Sequence, residues 1–393
     1  MLFNLVLISL IFLIKAEDKI IEQIYYITKK GYTITFDVGD PRQYMEKSID
    51  QALTYTWTTP IFFRPNNSQT LRKGPIKELN LLNLDTFEFF IGEIYIDRLY
   101  SRINVNDSFL IDNYPFFYIK DVSIHRWFDE GYAFGLKYEN ESFSIVHNLY
   151  NNRKISHLIY SLGETNNTNG TLYLGGIPSI VNDYNKGSCK VNESYISWGC
   201  HVEQVIFSRY NKKSHIEITE HILNVNNTYG YFQASKKYIY APKYVIDYLI
   251  DKVFQSFISS SFCSYTEKGF FDVSISCNCE VIYQMPNISF VIGGYKYHFD
   301  AFYLFQYYED SLCDFLITST KDRGNHWIFG YSFFNKFISV FDYEKKEISF
   351  YSKLPRIIAY NERYSYQKVY FIIINITLML GIIINIIIRI KFI

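Results

Sequence analysis

The chain has 393 residues, long enough for two packed lobes, and its 48% hydrophobic content excludes an intrinsically disordered protein. Its 39 basic and 39 acidic residues give a formal net charge of zero without a long basic block, which argues against nucleic-acid binding. Aromatic residues reach 19%, with 37 Tyr and 34 Phe, and they favour a mainly β protein because they fit half-buried pleated surfaces.

The N-terminal residues 1–14 are apolar except for Asn4 and Ser9, and Lys15, Ala16 and a charged segment follow them. A short apolar run closed by a small residue is typical of a secretory signal peptide. We predict a signal peptide over residues 1–16 and a short N-terminal segment over residues 17–31. An uncleaved anchor is the alternative, because no Lys or Arg precedes the apolar run.

Short alternating runs separated by turn residues dominate the body of the chain, for example residues 32–36, 170–174 and 288–292. This spacing predicts an all-β sandwich or barrel architecture. Helices are predicted at residues 143–151 and 242–257. The second has a Pro start and apolar residues at helical spacing.

Two distant stretches share one organisation, residues 48–57 and residues 231–242. In each stretch, apolar residues precede one polar residue at a predicted turn, and residues that favour β-strands follow it. This pattern predicts a strand, a loop and a second strand. The polar residues are Asp50 in the first stretch and Gln233 in the second. Without further context, Asp50 is interpreted most simply as an ordinary turn residue.

All six cysteines lie between Cys189 and Cys313. An even number of cysteines in a chain that enters an oxidising compartment indicates three disulfides. Cys277 and Cys279 could bind a metal, but no His lies at ligand spacing, so disulfides are favoured. Eight Asn-x-Ser/Thr sequons in the predicted lumenal part predict exposed loops that could carry glycans, at Asn66, Asn106, Asn140, Asn166, Asn169, Asn192, Asn226 and Asn287.

Residues 369–388 form a 20-residue apolar stretch, which as a helix would span about 30 Å, the thickness of a bilayer core. Arg389 and Lys391 follow it, and positive charge favours the cytoplasmic side. We predict a juxtamembrane linker over residues 355–368, a transmembrane helix over 369–388 and a cytoplasmic tail over 389–393. This is a single-pass, type I topology; a removed lipidation signal is the alternative.

Other catalytic or metal chemistry has little support in the sequence. His215, Glu217, Thr219 and His221 alternate with apolar residues, so on a strand they form one polar face rather than a metal site. No Gly-x-Ser-x-Gly signature indicates a serine nucleophile. We therefore expect no metal and no cofactor.

The order and spacing of several motifs resemble the pepsin family of aspartic proteases (peptidase A1). Asp50 follows a Gly-x-Pro-x-Gln-like hairpin at the distance where that family has its first catalytic Asp. Trp57 lies seven residues after Asp50, where the family has a tryptophan. The segments that resemble the family's motifs are residues 39–43, 135–138, 169–177, 285–290, 327–331 and 337–342.

The resemblance implies a bilobal, mainly β acid-protease fold with a cleft between two β-barrel-like lobes, predicted here at residues 32–204 and 205–354. It also implies a C-lobe disulfide between Cys279 and Cys313, because Cys279 lies seven residues before Pro286, as in the family. Cys263–Cys277 and Cys189–Cys200 are the remaining predicted pairs.

The family's chemistry uses two Asp-Thr-Gly loops whose carboxylates share a proton and activate a water, because two close like charges do not both ionise. Here residues 50–52 read Asp-Gln-Ala and residues 233–235 read Gln-Ala-Ser. Asp50 is the surviving dyad position, and Gln233 is a degenerate one that cannot titrate. No Asp or Glu lies between His221 and Asp247, so a shifted alignment does not supply a carboxylate.

The resemblance also places Phe89 at the flap position usually held by Tyr, with Gly92 after it and Tyr95 or Tyr100 as alternatives. Phe89, Gly92 and Trp57 are the predicted substrate-binding residues of flap and cleft. Tyr331 replaces the Asp of the family's Leu-Gly-Asp motif, and the segment before the first predicted strand is short for a propeptide.

Two functional hypotheses follow. The first is a membrane-anchored pseudoprotease that binds a peptide or protein ligand in its cleft. The second is an active aspartic-type endopeptidase of the secretory pathway or an acidic compartment, using Asp50 for proteolysis. In both, the body of this predicted glycoprotein is lumenal or extracellular, in the secretory pathway or at the cell-surface membrane.

Overall fold

A computed structural model of the chain describes residues 19–28, 31–51, 56–60, 63–83, 86–101, 109–119, 133–136, 144–163, 168–191, 198–211, 216–268, 272–309, 311–320, 325–354 and 357–359. The predicted signal peptide (1–16), transmembrane helix (369–388) and tail (389–393) lie outside these residues and stay predictions. Within the described residues, no helix is both long enough and apolar enough to cross a membrane.

The described chain is built mainly from strands, numbered here in chain order. The first eleven are β1 (Ile21–Thr28), β2 (Gly31–Val38), β3 (Gln43–Asp50), β4 (Trp57–Thr58), β5 (Arg72–Asn83), β6 (Thr86–Ser101), β7 (Phe109–Ile119), β8 (Ala133–Gly135), β9 (Ile159–Leu162), β10 (Asn169–Leu174) and β11 (Asn185–Lys190). The next eleven are β12 (Gly199–Asn211), β13 (Ile216–Phe232), β14 (Ile239–Ala241), β15 (Cys263–Lys268), β16 (Asp272–Asn278), β17 (Asn287–Ile292), β18 (Tyr295–Phe299), β19 (Phe305–Glu309), β20 (Leu312–Phe315), β21 (Ile317–Thr320) and β22 (His326–Phe329). The last three are β23 (Ile338–Asp342), β24 (Glu347–Ser352) and β25 (Ile357–Ala359).

These strands form two large sheets. The first has 13 strands in the order β11-β24-β23-β9-β10-β1-β2-β3-β8-β4-β7-β6-β5. The second has 12 strands, of which eleven run β19-β20-β16-β21-β14-β22-β13-β12-β17-β18-β25, while β15 pairs with β16. The prediction of a mainly β protein is confirmed, and two sheets are consistent with the predicted bilobal fold.

The helices are short and lie between strands. They are α1 (Ile145–Asn151), α2 (Lys243–Tyr248), α3 (Gln255–Ser259) and α4 (Tyr331–Phe334), and a π-helical turn at Leu249–Val253 joins α2 to α3. The described 3-10 helices are Pro65–Asn67, Ser179–Asp183, Cys279–Gln284 and Ala301–Leu304. Both predicted helical regions, residues 143–151 and 242–257, are confirmed, and the apolar spacing of the second buries Val245, Leu249 and Phe254.

Alternating burial explains the strands that the sequence pattern predicted. In β10 every second side chain is buried, and β10 pairs on one side with β1 and on the other with β9. Strand β1 falls within residues 17–31, which the sequence analysis treated only as a short N-terminal segment. Its pairing with β10 adds this segment to the first sheet.

The end of the chain returns to the first sheet. Strands β23 and β24 form a hairpin, and β23 pairs with β9 while β24 pairs with β11. The boundary predicted between the lobes, at residues 204 and 205, falls within β12, a strand of the second sheet. Sequence from the predicted C-terminal lobe therefore contributes two strands to the sheet of the N-terminal lobe.

All three predicted disulfides are present in the structure: Cys189–Cys200, Cys263–Cys277 and Cys279–Cys313. The first joins β11 in one sheet to β12 in the other. The second connects directly opposed residues of β15 and β16. Disulfides of this kind are compatible with a secretory or extracellular location.

The core is rich in stacked and edge-on aromatic rings. Tyr160 on β9 stacks on Phe341 on β23 with ring centroids 4.5 Å apart, and Trp198 meets Phe341 edge-on at 5.2 Å. All three side chains are fully buried. This aromatic cluster packs the side chains of β9 and β23 against Trp198, the residue before β12.

Four of the eight predicted glycosylation positions lie among the described residues. Asn66 lies in a single-turn helix, whereas Asn169, Asn226 and Asn287 belong to strands. The Asn287 Oδ1 accepts a hydrogen bond from the Ala301 N–H at 3.0 Å. Glycosylation stays a prediction at all eight.

Candidate functional site

The first candidate loop follows β3 and turns around the end of β8. Strand β3 runs parallel to β8, with Asp50 opposite Gly135, and the returning strand β4 pairs antiparallel with β8 through Trp57 and Ala133. Residues 52–55 of this loop and the Asp50 side chain lie outside what the structure describes. The backbone places Asp50 at the last position of β3, where the chain leaves the sheet.

The second candidate loop follows β13 and turns around the end of β22 in the same way. Strand β13 runs parallel to β22, with Phe232 opposite Phe329. The returning strand β14 pairs antiparallel with β22, with Tyr240 opposite Ile328. Gln233 is the first residue after β13.

The pairing registers make the two loops equivalent residue by residue. Ile49 lies opposite Phe134 in the first, and Phe232 lies opposite Phe329 in the second. The next residue along each chain is Asp50 in one and Gln233 in the other. Trp57 and Tyr240, each seven residues further on, pair with the residues that precede Phe134 and Phe329. Asp50 and Gln233 therefore occupy corresponding positions in two copies of one motif.

The wider strand order repeats as well. In the first sheet β4 runs parallel to β7, and in the second β14 runs parallel to β21. Both sheets therefore contain the same four-strand unit, β3-β8-β4-β7 in one and β13-β22-β14-β21 in the other. This repetition places the two loops at the same point of each sheet.

A side chain of the first loop bonds directly to the second. The Gln51 Oε1 accepts a hydrogen bond from the Ala234 N–H at 2.7 Å, and both residues are fully buried. The Ala234 carbonyl accepts a second hydrogen bond, from the Tyr32 N–H at 3.0 Å. Both backbone polar groups of Ala234 are thus held by the part of the chain that forms the first sheet.

Gly31 permits this close contact. A Cβ at this position would lie 2.5 Å from the Ala234 carbonyl oxygen, and its φ of +108° is unfavourable for other residues. Neither Gly31 nor Gln51 was predicted from the sequence as a site residue. The only signal was indirect: at position 51 a longer hydrogen-bonding side chain replaces the Thr of the family's loop.

Gln233 is buried at the start of the second loop, with 1% of its surface exposed. Its N–H donates to the Phe329 carbonyl at 3.0 Å, and its carbonyl accepts from the Lys236 N–H at 3.1 Å. Its side-chain Oε1 is buried and accepts no hydrogen bond from any described residue. An amide at this position accepts and donates hydrogen bonds but holds no titratable proton.

Two ionisable side chains beside the loops are strongly desolvated. Lys47, three residues before Asp50, is fully buried, and burial lowers the pKa of its ammonium group well below the usual range. Burial likewise raises the pKa of the Tyr331 phenol, at the position where the family has an Asp. Tyr331 begins α4, and its N–H donates to the Lys236 carbonyl of the second loop.

The predicted flap residues lie on a long hairpin formed by β5 and β6. Asn83 lies opposite Thr86, Phe89 lies opposite Asn80, and Gly92 lies opposite Lys77. The side chains of residues 75–92 are outside the described part, so substrate contact by Phe89 and Gly92 stays a prediction.

Three further residues named by the sequence analysis are buried. Tyr95 and Tyr100, the alternative flap residues, are 2% and 7% exposed, and Tyr95 stacks on Tyr118 with centroids 4.8 Å apart. Trp57 is 4% exposed. Its predicted contact with a ligand also stays a prediction, and its burial shows that it supports the structure around the first loop.

The family of the chain follows from its similarity to a known sequence family. The sequence model described as eukaryotic aspartyl protease matches residues 130–353, more than half of the chain. The chain therefore belongs to the eukaryotic aspartyl protease family and contains a pepsin-like domain. The match includes Gln233 and the second loop but begins after Asp50. A comparison with curated proteins finds no match.

Metal binding finds no support in the described residues, where no group of three or more His, Cys, Asp or Glu is placed to hold an ion.

Proposed function

We propose that this protein is a pepsin-like pseudoprotease that binds an extended peptide or protein segment in the cleft between its lobes without cleaving it. One observation carries the proposal: the position equivalent to Asp50 in the repeated motif is occupied by Gln233. Acid-protease chemistry needs two carboxylates that share a proton, one acting as base and the other as acid. The second loop, residues 233–238, contains no carboxylate.

The hydrogen bond from Ala234 to Gln51 supports a role in binding. It connects the two loops although neither keeps the family's Asp-Thr-Gly sequence. The resemblance to the pepsin family makes the β5–β6 hairpin the flap, and peptides bind strand backbone through main-chain hydrogen bonds.

We further propose a single-pass, type I membrane protein with its body lumenal or extracellular, in the secretory pathway or at the cell surface. The support comes from the apolar segments at residues 1–16 and 369–388, the sequons and the three disulfides. The ligand would then be a lumenal or extracellular peptide or protein.

The alternative function is proteolysis by an aspartic-type endopeptidase that uses Asp50. The observation that favours it is that Asp50 keeps its position at the end of β3, opposite Gly135. This alternative requires a second proton-transferring group other than Gln233.

A cleavage assay separates the two functions. The purified full chain is incubated with a fluorogenic peptide library between pH 3 and pH 7, with Asp50→Ala as control. The pseudoprotease proposal predicts no turnover above that of Asp50→Ala. Pepstatin-sensitive turnover that disappears in Asp50→Ala would instead establish the protease.

A gain-of-function variant tests the reason for inactivity. The triple variant Gln233→Asp, Ala234→Thr, Ser235→Gly restores the family's second loop, and we expect it to acquire acid-dependent cleavage. The same triple variant carrying Asp50→Asn is the matched control and should stay inactive. If the triple variant folds and remains inactive, the loss of the second carboxylate is not what prevents catalysis.

A further inference from the structure

A cavity of about 450 Å³ lies at the C-terminal end of α1 and shares no residue with the two loops. It is lined by Lys19, Tyr150, Asn151, Arg153, Ile155 and Ser156. Its volume falls within the range of small-molecule sites, about 300–1,000 Å³.

Arg153 holds a backbone conformation that ordinarily favours glycine. The end of α1 is closed by hydrogen bonds from the Arg153 N–H to the Tyr150 carbonyl and from the Lys154 N–H to the Leu149 carbonyl. This left-handed cap usually has Gly where Arg153 stands, at φ 56°. A strained conformation is retained where the side chain has a use.

The cavity is lined by two positively charged side chains. Lys19 and Arg153 are exposed, and neither makes an ion pair with any residue in the described ranges. The carbonyls of Leu149 and Tyr150 at the helix end are already hydrogen-bonded, which reduces their attraction for a cation. The cavity therefore favours an anion.

The Lys19–Ser156 side of the cavity is held by hydrogen bonds and packing. The Lys19 N–H donates to the Ser156 Oγ at 2.8 Å, and the Ser156 N–H donates to the Lys19 carbonyl at 3.2 Å. Ile155 forms an apolar floor at 3% exposure. Gly175 packs against this floor so closely that a Cβ would lie 2.4 Å from the Ile155 Cβ. This side of the cavity is therefore formed before a ligand binds, which removes the entropy cost of ordering its backbone.

We propose that this cavity binds a carboxylated saccharide, such as a uronic or sialic acid unit of a glycan. The planar guanidinium of Arg153 matches a carboxylate, and Lys19 adds a second positive charge. The ring of Tyr150, 39% exposed, offers an apolar surface for the C–H face of a sugar. The Asn151 amide and the Ser156 hydroxyl supply donors and acceptors for sugar hydroxyl groups.

Calorimetric titration of the purified full chain tests the site, with glucuronate as probe, glucose as its uncharged counterpart and sulfate as a bare anion. We expect glucuronate to bind at least tenfold more tightly than glucose or sulfate. Arg153→Gly should weaken glucuronate binding at least tenfold while leaving the melting temperature unchanged or higher, because glycine relieves the strained conformation.

Arg209→Gln, which removes an exposed Arg paired with Glu220, is the control and should bind as the parent does. Equal affinity for sulfate and glucuronate, or unchanged binding in Arg153→Gly, would overturn the proposal. Glucuronate binding that is seen only in the double variant Glu17→Gln, Asp18→Asn would also overturn the proposal. It would mean that the two acidic side chains before Lys19 occupy the cavity in the parent protein.

Discussion

Gln51 joins the two loops and shows how one residue can replace a lost motif. In the family's loop this position is a Thr, whose hydroxyl reaches a short distance. The longer Gln side chain reaches the Ala234 N–H across 183 residues of sequence. The Ala234 side chain has no polar group, so it cannot make the equivalent side-chain hydrogen bond back to the first loop.

The contribution of this contact is measurable. Gln51→Ala would leave the buried Ala234 N–H without its partner, and we expect the free energy of unfolding to fall by about 1–3 kcal/mol. Urea denaturation measures this change. Gln306→Ala on an exposed position of β19 is the control, and equal stability of both variants would contradict the proposed link.

At the level of elements, α1 buries a histidine whose ring has apolar and aromatic surroundings. His147 is 8% exposed and meets the ring of Tyr343 edge-on at 5.0 Å. Neither ring nitrogen has a hydrogen-bond partner within the described residues. Burial lowers the pKa of His147 below its usual 6.5, because the charged imidazolium is poorly solvated there.

This burial predicts acid sensitivity of α1. Above pH 6.5 His147 is neutral in both states and has no effect on pH dependence. As the pH falls below 6.5, the unfolded state takes up a proton that the folded state resists, so stability is lost until the folded pKa is reached. Between the unfolded-state and folded-state pKa values of His147, the free energy of unfolding falls by about 1.4 kcal/mol for each pH unit.

We expect His147→Leu to remove this part of the stability loss between pH 6.5 and lower pH, as measured by urea unfolding across that range. His157→Leu, at a half-buried position on the neighbouring segment, is the matched control. An unchanged pH dependence in His147→Leu would show that His147 is not the titrating group.

For the whole molecule, the returning hairpin and one disulfide connect the two sheets. Strand β23 comes from the second half of the chain but pairs with β9 in the first sheet. Cys189–Cys200 joins β11 to β12. The two sheets are therefore expected to unfold together rather than as independent lobes.

Phe341→Ala tests this coupling. The Phe341 ring is fully buried against Tyr160, and its loss should cost about 3–5 kcal/mol. Hydrogen exchange should show loss of protection in β9 of the first sheet and in β13 and β22 of the second. Loss confined to one sheet would mean that the lobes unfold separately. Phe302→Ala on the exposed surface is the control.

The sequence by itself determined the mainly β class and both helical regions, and the three cysteine pairs were predicted through the resemblance to the pepsin family. Alternation, helical spacing and motif order are properties of the sequence itself, so they can be identified without knowledge of the tertiary structure. The same local order placed Asp50 and Gln233 after apolar strands. The tertiary registers then placed both residues at one position of a repeated motif.

Only the tertiary structure decided which groups actually meet. No local pattern shows that Gln51 bonds to Ala234, that Gly31 must lack a side chain, or that β23 and β24 return to the first sheet. The cavity around Lys19 and Arg153 is likewise assembled from the segment before β1 and the end of α1. These contacts join residues more than a hundred positions apart, and sequence spacing contains no information about such distances until the sheets form.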